Sequence, residues 1–236
     1  MLRPRFRIEV FIFKSSFLSL ILTFLPLLAH GEAWDNLGKN ERWQVLKGLA
    51  QTPPMNWGAG GAGINYGGGK PEGECREPLV QDAAAPSSGY CLGVSVFRTA
   101  AFAELVGGTP ATPGNRKDVA DLHESAGARE YGDVQDWMRR MGETNYDRAL
   151  ARNAASMKTL LAYAKKYPGR WIGLKSQSVH HAVQVFEVAG DLVIVDPNVP
   201  QPMFGRYTTN GFEWSTFDGK SSATVDFAYL PARTWR

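Results

Sequence analysis

The chain has 236 residues, of which 44% are hydrophobic and 21% are charged, and its formal net charge is +3. This is an ordinary globular composition, and the length suits one domain with a complete core. The sequence contains no basic stripe of the kind that binds nucleic acid, so we do not expect a nucleic-acid partner.

The N-terminal segment has the layout of a secretory signal peptide. Four basic residues precede an apolar run at 17–29, and small residues follow that run. The run is shorter than the roughly 20 residues that a stable membrane span needs. We therefore expect cleavage after Gly31, with cleavage after Ala33 as a second option. Residues 1–31 would then be a signal peptide, and residues 32–236 a single secreted or periplasmic domain. An uncleaved N-terminal anchor is the alternative.

The first part of the mature chain combines one helical pattern with two loops. Apolar residues at helical spacing predict a short helix over 34–50. The glycine-rich stretch 56–74 and the stretch 83–89 cannot hold regular structure and are expected to be loops. Because the phosphate-binding pattern GxxxxGK[ST] does not occur in the sequence, the glycine-rich loop is expected to be a structural connector.

Three further segments are predicted to be helical. Residues 91–106 are apolar on all sides, as expected for a helix that is buried in the core. Residues 114–142 are polar and mixed, which predicts short helices separated by loops. Residues 146–167 carry apolar side chains along one face, and this pattern predicts a single amphipathic helix.

The remainder of the chain changes to strand patterns rich in β-branched residues. Six strands are predicted, at 171–175, 179–188, 192–195, 204–207, 212–217 and 223–229. The short connection at 189–191 makes the second and third of these strands a hairpin. Helices followed by consecutive strands predict an α+β fold, with N-terminal helices packed on a C-terminal antiparallel sheet.

Cys91 is the first candidate for chemistry, because it stands where a loop enters the buried helix. Free N–H groups and a partial positive charge at a helix N-terminus favour the thiolate and lower the pKa of a cysteine placed there. Such a cysteine is nucleophilic when a base lies nearby. The only other cysteine is Cys75. A Cys75–Cys91 disulfide is therefore the competing interpretation in an oxidising compartment.

His181 and Asp196 complete a candidate triad. His181 begins one strand of the predicted hairpin and Asp196 ends the other, so the two side chains should come within reach of each other. The imidazole would accept the thiol proton, and the carboxylate would fix its tautomer. His180 is the alternative base, because a shift of one residue sends each histidine to the opposite face. Because adjacent residues on a strand point to opposite faces, a metal site formed by His123, His180 and His181 is not expected.

The order of a cysteine on a helix, then a histidine and an aspartate on adjacent strands, is that of the papain-like fold. Over roughly residues 75–230 the chain resembles the YopT-type cysteine proteases. The matching motifs are GYCLGVS at 89–95, HAV at 181–183 and DPN at 196–198. The resemblance implies a thiol hydrolase of peptide or amide bonds that needs no cofactor or metal. It also implies an oxyanion site, with Gln81 and the backbone N–H of Cys91 as its donors.

Together these features predict an exported cysteine protease, a bacterial effector in virulence. Its expected partners are a protein or peptide substrate and an immunity or inhibitor protein. A cell-wall amidase or a transglutaminase-type acyl transferase is the second hypothesis, since all three begin with acylation of the cysteine. The third hypothesis is a non-catalytic secreted binding protein with a Cys75–Cys91 disulfide.

Overall fold

The structure is a computed structural model. It describes four segments of the chain: 33–52, 91–112, 116–177 and 179–235. The predicted signal peptide, both predicted loops, Cys75 and Gln81 lie outside these segments. Within them, none of the helices combines the length and the apolarity that crossing a membrane requires.

All the described helices except one 3₁₀ helix precede the strands in the chain. They are α1 (Lys39–Ala50), α2 (Cys91–Val106), α3 (Arg116–Met141), α4 (Tyr146–Arg152), α5 (Met157–Lys166) and a 3₁₀ helix (Ala232–Thr234). Residues 33–36 are also helical, but residues 37–38 are not. The single helix expected over 34–50 is therefore interrupted. Gly38 is the N-cap of α1, and its backbone N–H donates to the Glu41 carboxylate at 2.7 Å.

Seven strands form one antiparallel sheet. They are β1 (Arg170–Lys175), β2 (His180–Val188), β3 (Asp191–Val195), β4 (Met203–Thr208), β5 (Gly211–Thr216), β6 (Ser222–Val225) and β7 (Phe227–Tyr229). Their order across the sheet is β6-β5-β4-β3-β2-β1-β7. The α+β class, with N-terminal helices packed on a C-terminal antiparallel sheet, is therefore confirmed.

The last predicted strand, 223–229, divides into β6 and β7, which lie at opposite edges of the sheet. Only Asp226 separates Val225 from Phe227 in the sequence. Because one residue cannot span a flat sheet of seven strands, the sheet must curl until its two edges approach each other.

The helix predictions after α2 were wrong in two places. Residues 114–142 contain one long helix, α3, whose buried positions Val119, Val134, Trp137 and Met138 face the rest of the domain. Its exposed face is polar and contains glycine, and this composition masked the helical pattern. Residues 146–167 form two helices instead of one. Between α4 and α5, Ala154 bridges to Tyr229, and the backbone N–H of Ala155 donates to the Ala228 carbonyl at 2.8 Å.

The two faces of the sheet bury different helices. On one face, Val183, Val185 and Ile194 pack with Leu160 and Ala164 of α5. On the other face, the apolar side chains of β2 and β3 pack with α1, α2 and the helical residues at 33–36; the cluster includes Trp34, Leu46, Leu49, Phe102, Phe186 and Val193. The second arrangement brings α2 against β2.

Candidate active site

Cys91 is the first residue of α2, as the sequence pattern predicted. Its side chain packs against Ala182 of β2, with Leu92 and Trp171 beside it, and the residue keeps 8% of its surface exposed. The thiol therefore lies at the start of a helix and directly beside the strand that carries His181.

The hairpin of β2 and β3 brings His181 and Asp196 together. Ring atom Nε2 of His181 lies 3.0 Å from Oδ1 of Asp196, and both residues are 3% exposed. The register pairs Gln184 with Val195, so His181 lies near the start of β2 at the end of the sheet where β3 stops. Side chains alternate along a strand, and both groups project from the same face of the sheet. The distance agrees with the adjacency expected from the hairpin.

His181 also contacts the nucleophile candidate, because the Cys91 side chain is hydrogen-bonded to the imidazole. Nε2 is occupied by Asp196, so Nδ1 is the ring atom that is left for the sulfur. The structure thus joins Cys91, His181 and Asp196 in one chain of contacts. Gln81, the predicted oxyanion donor, lies outside the described residues, and its role stays a prediction.

The electrostatics of this group favour an ion pair. Burial by itself would lower the pKa of His181, but the charge and hydrogen bond of Asp196 and the contact with Cys91 outweigh it, and the pKa rises well above its ordinary value. Burial would raise the pKa of Asp196, yet the charge of His181 and the hydrogen bonds to the carboxylate lower it. His181 is therefore held as the imidazolium and Asp196 as the carboxylate.

A dependence of stability on pH follows. His181 has a raised folded-state pKa, so its contribution is complete below its unfolded pKa of about 6.5 and is lost as the pH rises through the folded pKa. Asp196 has a lowered folded-state pKa, so its contribution is complete above its unfolded pKa of about 3.9 and is lost as the pH falls through the folded pKa. Urea unfolding of the wild type and of His181→Gln should differ most between about pH 4 and 6.5. A difference that is independent of pH would contradict the ion pair.

The Asp196 carboxylate accepts two hydrogen bonds besides the one from His181. The backbone N–H of Asn198 donates to Oδ1 at 2.8 Å, and the Trp214 indole donates to Oδ2 at 2.7 Å. The Trp214 ring also stacks on His181, with 6.4 Å between ring centroids and 24° between planes. Trp214 therefore holds the carboxylate and covers the imidazole.

The sequence patterns did not predict this role of Trp214. Trp214 is buried. A buried indole usually needs an acceptor, and this requirement was the available signal. The acceptor itself depends on the order of β3, β4 and β5 in the sheet, which the local pattern does not contain.

Replacing Trp214 by phenylalanine is expected to lower the free energy of unfolding by about 1.5–3 kcal/mol, because a smaller aromatic ring remains but a hydrogen bond to a charged group is lost. Trp137→Phe is the matched control, since the Trp137 indole is also buried but its Nε1 has no hydrogen-bond partner among the described residues. Urea denaturation at about pH 6 measures both variants, and equal losses would contradict the role given to Trp214.

Two other histidines lie near Cys91. The ring of His180 hydrogen-bonds to the Tyr229 hydroxyl, so the Asp196 carboxylate is the partner of His181 and not of the alternative base. His123 of α3 lies against the first turn of α2, where its Nδ1 accepts from the backbone N–H of Gly93 at 3.4 Å. Within the described segments, no group of three or more His, Cys, Asp or Glu side chains is placed to hold a metal ion.

Gly93 is required for this close approach. A Cβ atom at Gly93 would lie 2.2 Å from the Val119 carbonyl oxygen and 2.8 Å from the Cβ of His123. Any larger residue would therefore push α3 away from the first turn of α2, beside the nucleophile candidate.

No protein-family model, curated protein or solved structure matches the chain. We therefore infer the function from the residues themselves and from the geometry that the fold gives them.

Proposed function

We propose that the protein is an exported cysteine protease of the papain-like type, a thiol hydrolase of peptide or amide bonds. The observation that carries this proposal is the unbroken chain of contacts from the Cys91 thiol through the His181 ring to the Asp196 carboxylate. A nucleophile, a base and an orienting acid in this order are the requirement for acyl transfer to a cysteine.

The chemistry follows from the charges of these groups. The Cys91 thiolate attacks the carbonyl carbon and forms a tetrahedral oxyanion, for which the backbone N–H of Cys91 and Gln81 are the proposed donors. Collapse of this intermediate breaks the C–N bond, while His181 gives the proton on Nδ1 to the leaving amine. A water molecule that His181 deprotonates then attacks the thioester, the C–S bond breaks, and the acid product leaves while the Cys91 thiolate and the His181 imidazolium are restored. Asp196 holds the Nε2–H throughout and stabilises the imidazolium.

The three side chains of the proposed triad differ in how deeply they are buried. His181 and Asp196 are each 3% exposed, and Trp214 covers the imidazole. Their ion pair is therefore shielded from water, which strengthens its electrostatic interaction. Cys91 lies at the start of α2 and is 8% exposed, so it is the least buried of the three side chains.

The fold supports the papain-like assignment. A helix that begins at the cysteine packs on an antiparallel sheet; His181 follows in β2, and Asp196 comes directly after the adjacent strand β3. Export, action as a bacterial effector, and an immunity or inhibitor partner belong to the same proposal and depend on the N-terminal pattern and on the YopT-type resemblance.

Hydrolysis assays with two substrates test this proposal. The purified mature protein is incubated with fluorescently labelled casein and, separately, with purified peptidoglycan. We expect peptide release from casein, and pretreatment with iodoacetamide should stop it because alkylation blocks the thiolate. Release from peptidoglycan alone would assign a cell-wall amidase instead. Casein cleavage that resists iodoacetamide would overturn the proposed role of Cys91.

A thiol count tests the binding-protein hypothesis separately. Denatured mature protein is treated with a thiol reagent without prior reduction, and the enzyme hypothesis requires two reactive thiols. A protein with no reactive thiol would contain the Cys75–Cys91 disulfide, and that result would end the catalytic proposal.

A further inference from the structure

One face of α2 carries more than the nucleophile candidate. Cys91, Ser95 and Arg98 follow each other at spacings of four and three residues, so they lie in a row along the helix. Ser95 and Arg98 are both 0% exposed. Neither side chain takes part in the proposed chemistry, so the reason for burying two polar groups here must lie in what they bind.

Ser95 binds the strand of the proposed base. Its hydroxyl donates to the backbone carbonyl of Ala182 at 3.1 Å, and Ala182 directly follows His181 in β2. The hydrogen bond therefore fixes the backbone beside His181 relative to the helix that carries Cys91.

Arg98 binds the backbone of the proposed acid. Its guanidinium donates to the carbonyl of Asp196 at 3.2 Å, to the carbonyl of Ala50 at 2.9 Å, and to the carbonyl of Thr52. Ala50 ends α1, and carbonyls at a helix end have no partner within the helix. A fully buried guanidinium is stable only when its donors are used. The side chain thus locks the end of β3 and the end of α1 onto α2.

We propose that Ser95 and Arg98 are positioning residues, which hold the backbones of His181 and Asp196 in register with Cys91. This inference rests on the proposed function. A single helix face then carries the nucleophile and, one and two turns later, the groups that set the places of the base and the acid. Reacting groups must be held within about 0.5 Å of their working positions, so such anchoring has a direct effect on reactivity.

The test uses iodoacetamide as the probe, in a Cys75→Ser background so that Cys91 is the remaining thiol. The rate of alkylation is measured from pH 4 to pH 10 for the background protein, Arg98→Lys and Ser95→Ala. Lysine keeps the charge of arginine but lacks its planar fork, so it cannot reach all three carbonyls. We expect the alkylation rate at about pH 6 to fall roughly tenfold in Arg98→Lys, which equals a shift of about one pKa unit. Ser95→Ala should also lower the alkylation rate at about pH 6, but by less than Arg98→Lys does. The rates of all the proteins should converge at high pH, where every thiol is ionised.

Phe102→Leu is the control for simple loss of stability. Phe102 is buried on the same helix, and its ring packs edge-on against the rings of Trp34 and Phe186. We expect it to lower the melting temperature without changing the pH profile. The inference is overturned if both positioning variants keep the profile of the background protein, or if Phe102→Leu moves it equally. A background protein whose thiol titrates near its ordinary pKa would overturn the proposed function, and the inference with it.

Discussion

Cys91→Ala is expected to lower the rate of amide hydrolysis by about 10⁴-fold or more while the protein remains folded, because the covalent pathway needs the sulfur. The residue is small and lies at the edge of the core, packed against Ala182, so its truncation leaves a minor cavity. The measurement compares kcat/KM for the wild type and the variant on the substrate identified by the casein and peptidoglycan assays.

Cys75→Ser is the matched control, since it removes the other cysteine of the chain. We expect this variant to keep the activity of the wild type. If both substitutions abolish activity, and the wild type contains a disulfide, the nucleophile assignment is contradicted. Residual hydrolysis of more than a few per cent in Cys91→Ala would contradict it as well.

Asp196→Asn is expected to have the largest effect on stability. The carboxylate accepts hydrogen bonds from His181, Asn198 and Trp214, whereas an amide has one accepting oxygen and brings donors of its own. At least one N–H group would then face another N–H group in the interior. The imidazolium of His181 would also lose its buried counter-charge. Breaking one partner of a buried ion pair lowers the free energy of unfolding by about 3–5 kcal/mol, and we expect a loss of this size at about pH 5.

Asp218→Asn is a fitting control for this experiment. Asp218 also accepts hydrogen bonds, from Thr216 and Lys220, but it lies in an exposed turn where water can replace them. Urea denaturation of both variants should give a large loss for Asp196→Asn and a much smaller one for Asp218→Asn. Equal losses would show that the ion pair of His181 and Asp196 adds no stability.

The sequence predicted the parts of the fold and the site that depend on neighbouring residues. The bounds of α2 follow from an apolar run that starts at Cys91 and stops at two glycines. The meeting of His181 and Asp196 follows from a hairpin whose turn residues, Ala189 and Gly190, both take positive φ angles. Such turns hold adjacent strands in a fixed register, so a local pattern was enough to bring the two residues together.

Other features depend on contacts between distant parts of the chain, and no local pattern contains them. In the sheet, β4 lies between β5 and β3. The contact between Trp214 and Asp196 therefore depends on the order of the strands and on the curl of the sheet. Arg98 is fully buried and joins the end of α1 to the backbone of Asp196, and neither partner is near it in the sequence. The two edge strands β6 and β7 read as one strand because their division depends on closure of the sheet. In each case the partner was set by tertiary packing.

The central claim is that the Cys91 thiol and the His181 imidazole form one ionic unit. A titration of His181 by ¹⁵N NMR tests it most directly, with Cys91 first unmodified and then capped as its methyl disulfide in the Cys75→Ser protein. In the unmodified protein, we expect the pKa of His181 to lie well above the ordinary value for histidine. Capping should lower the pKa of His181, because the thiolate is lost. A His181 titration that is unchanged by capping would contradict the claim.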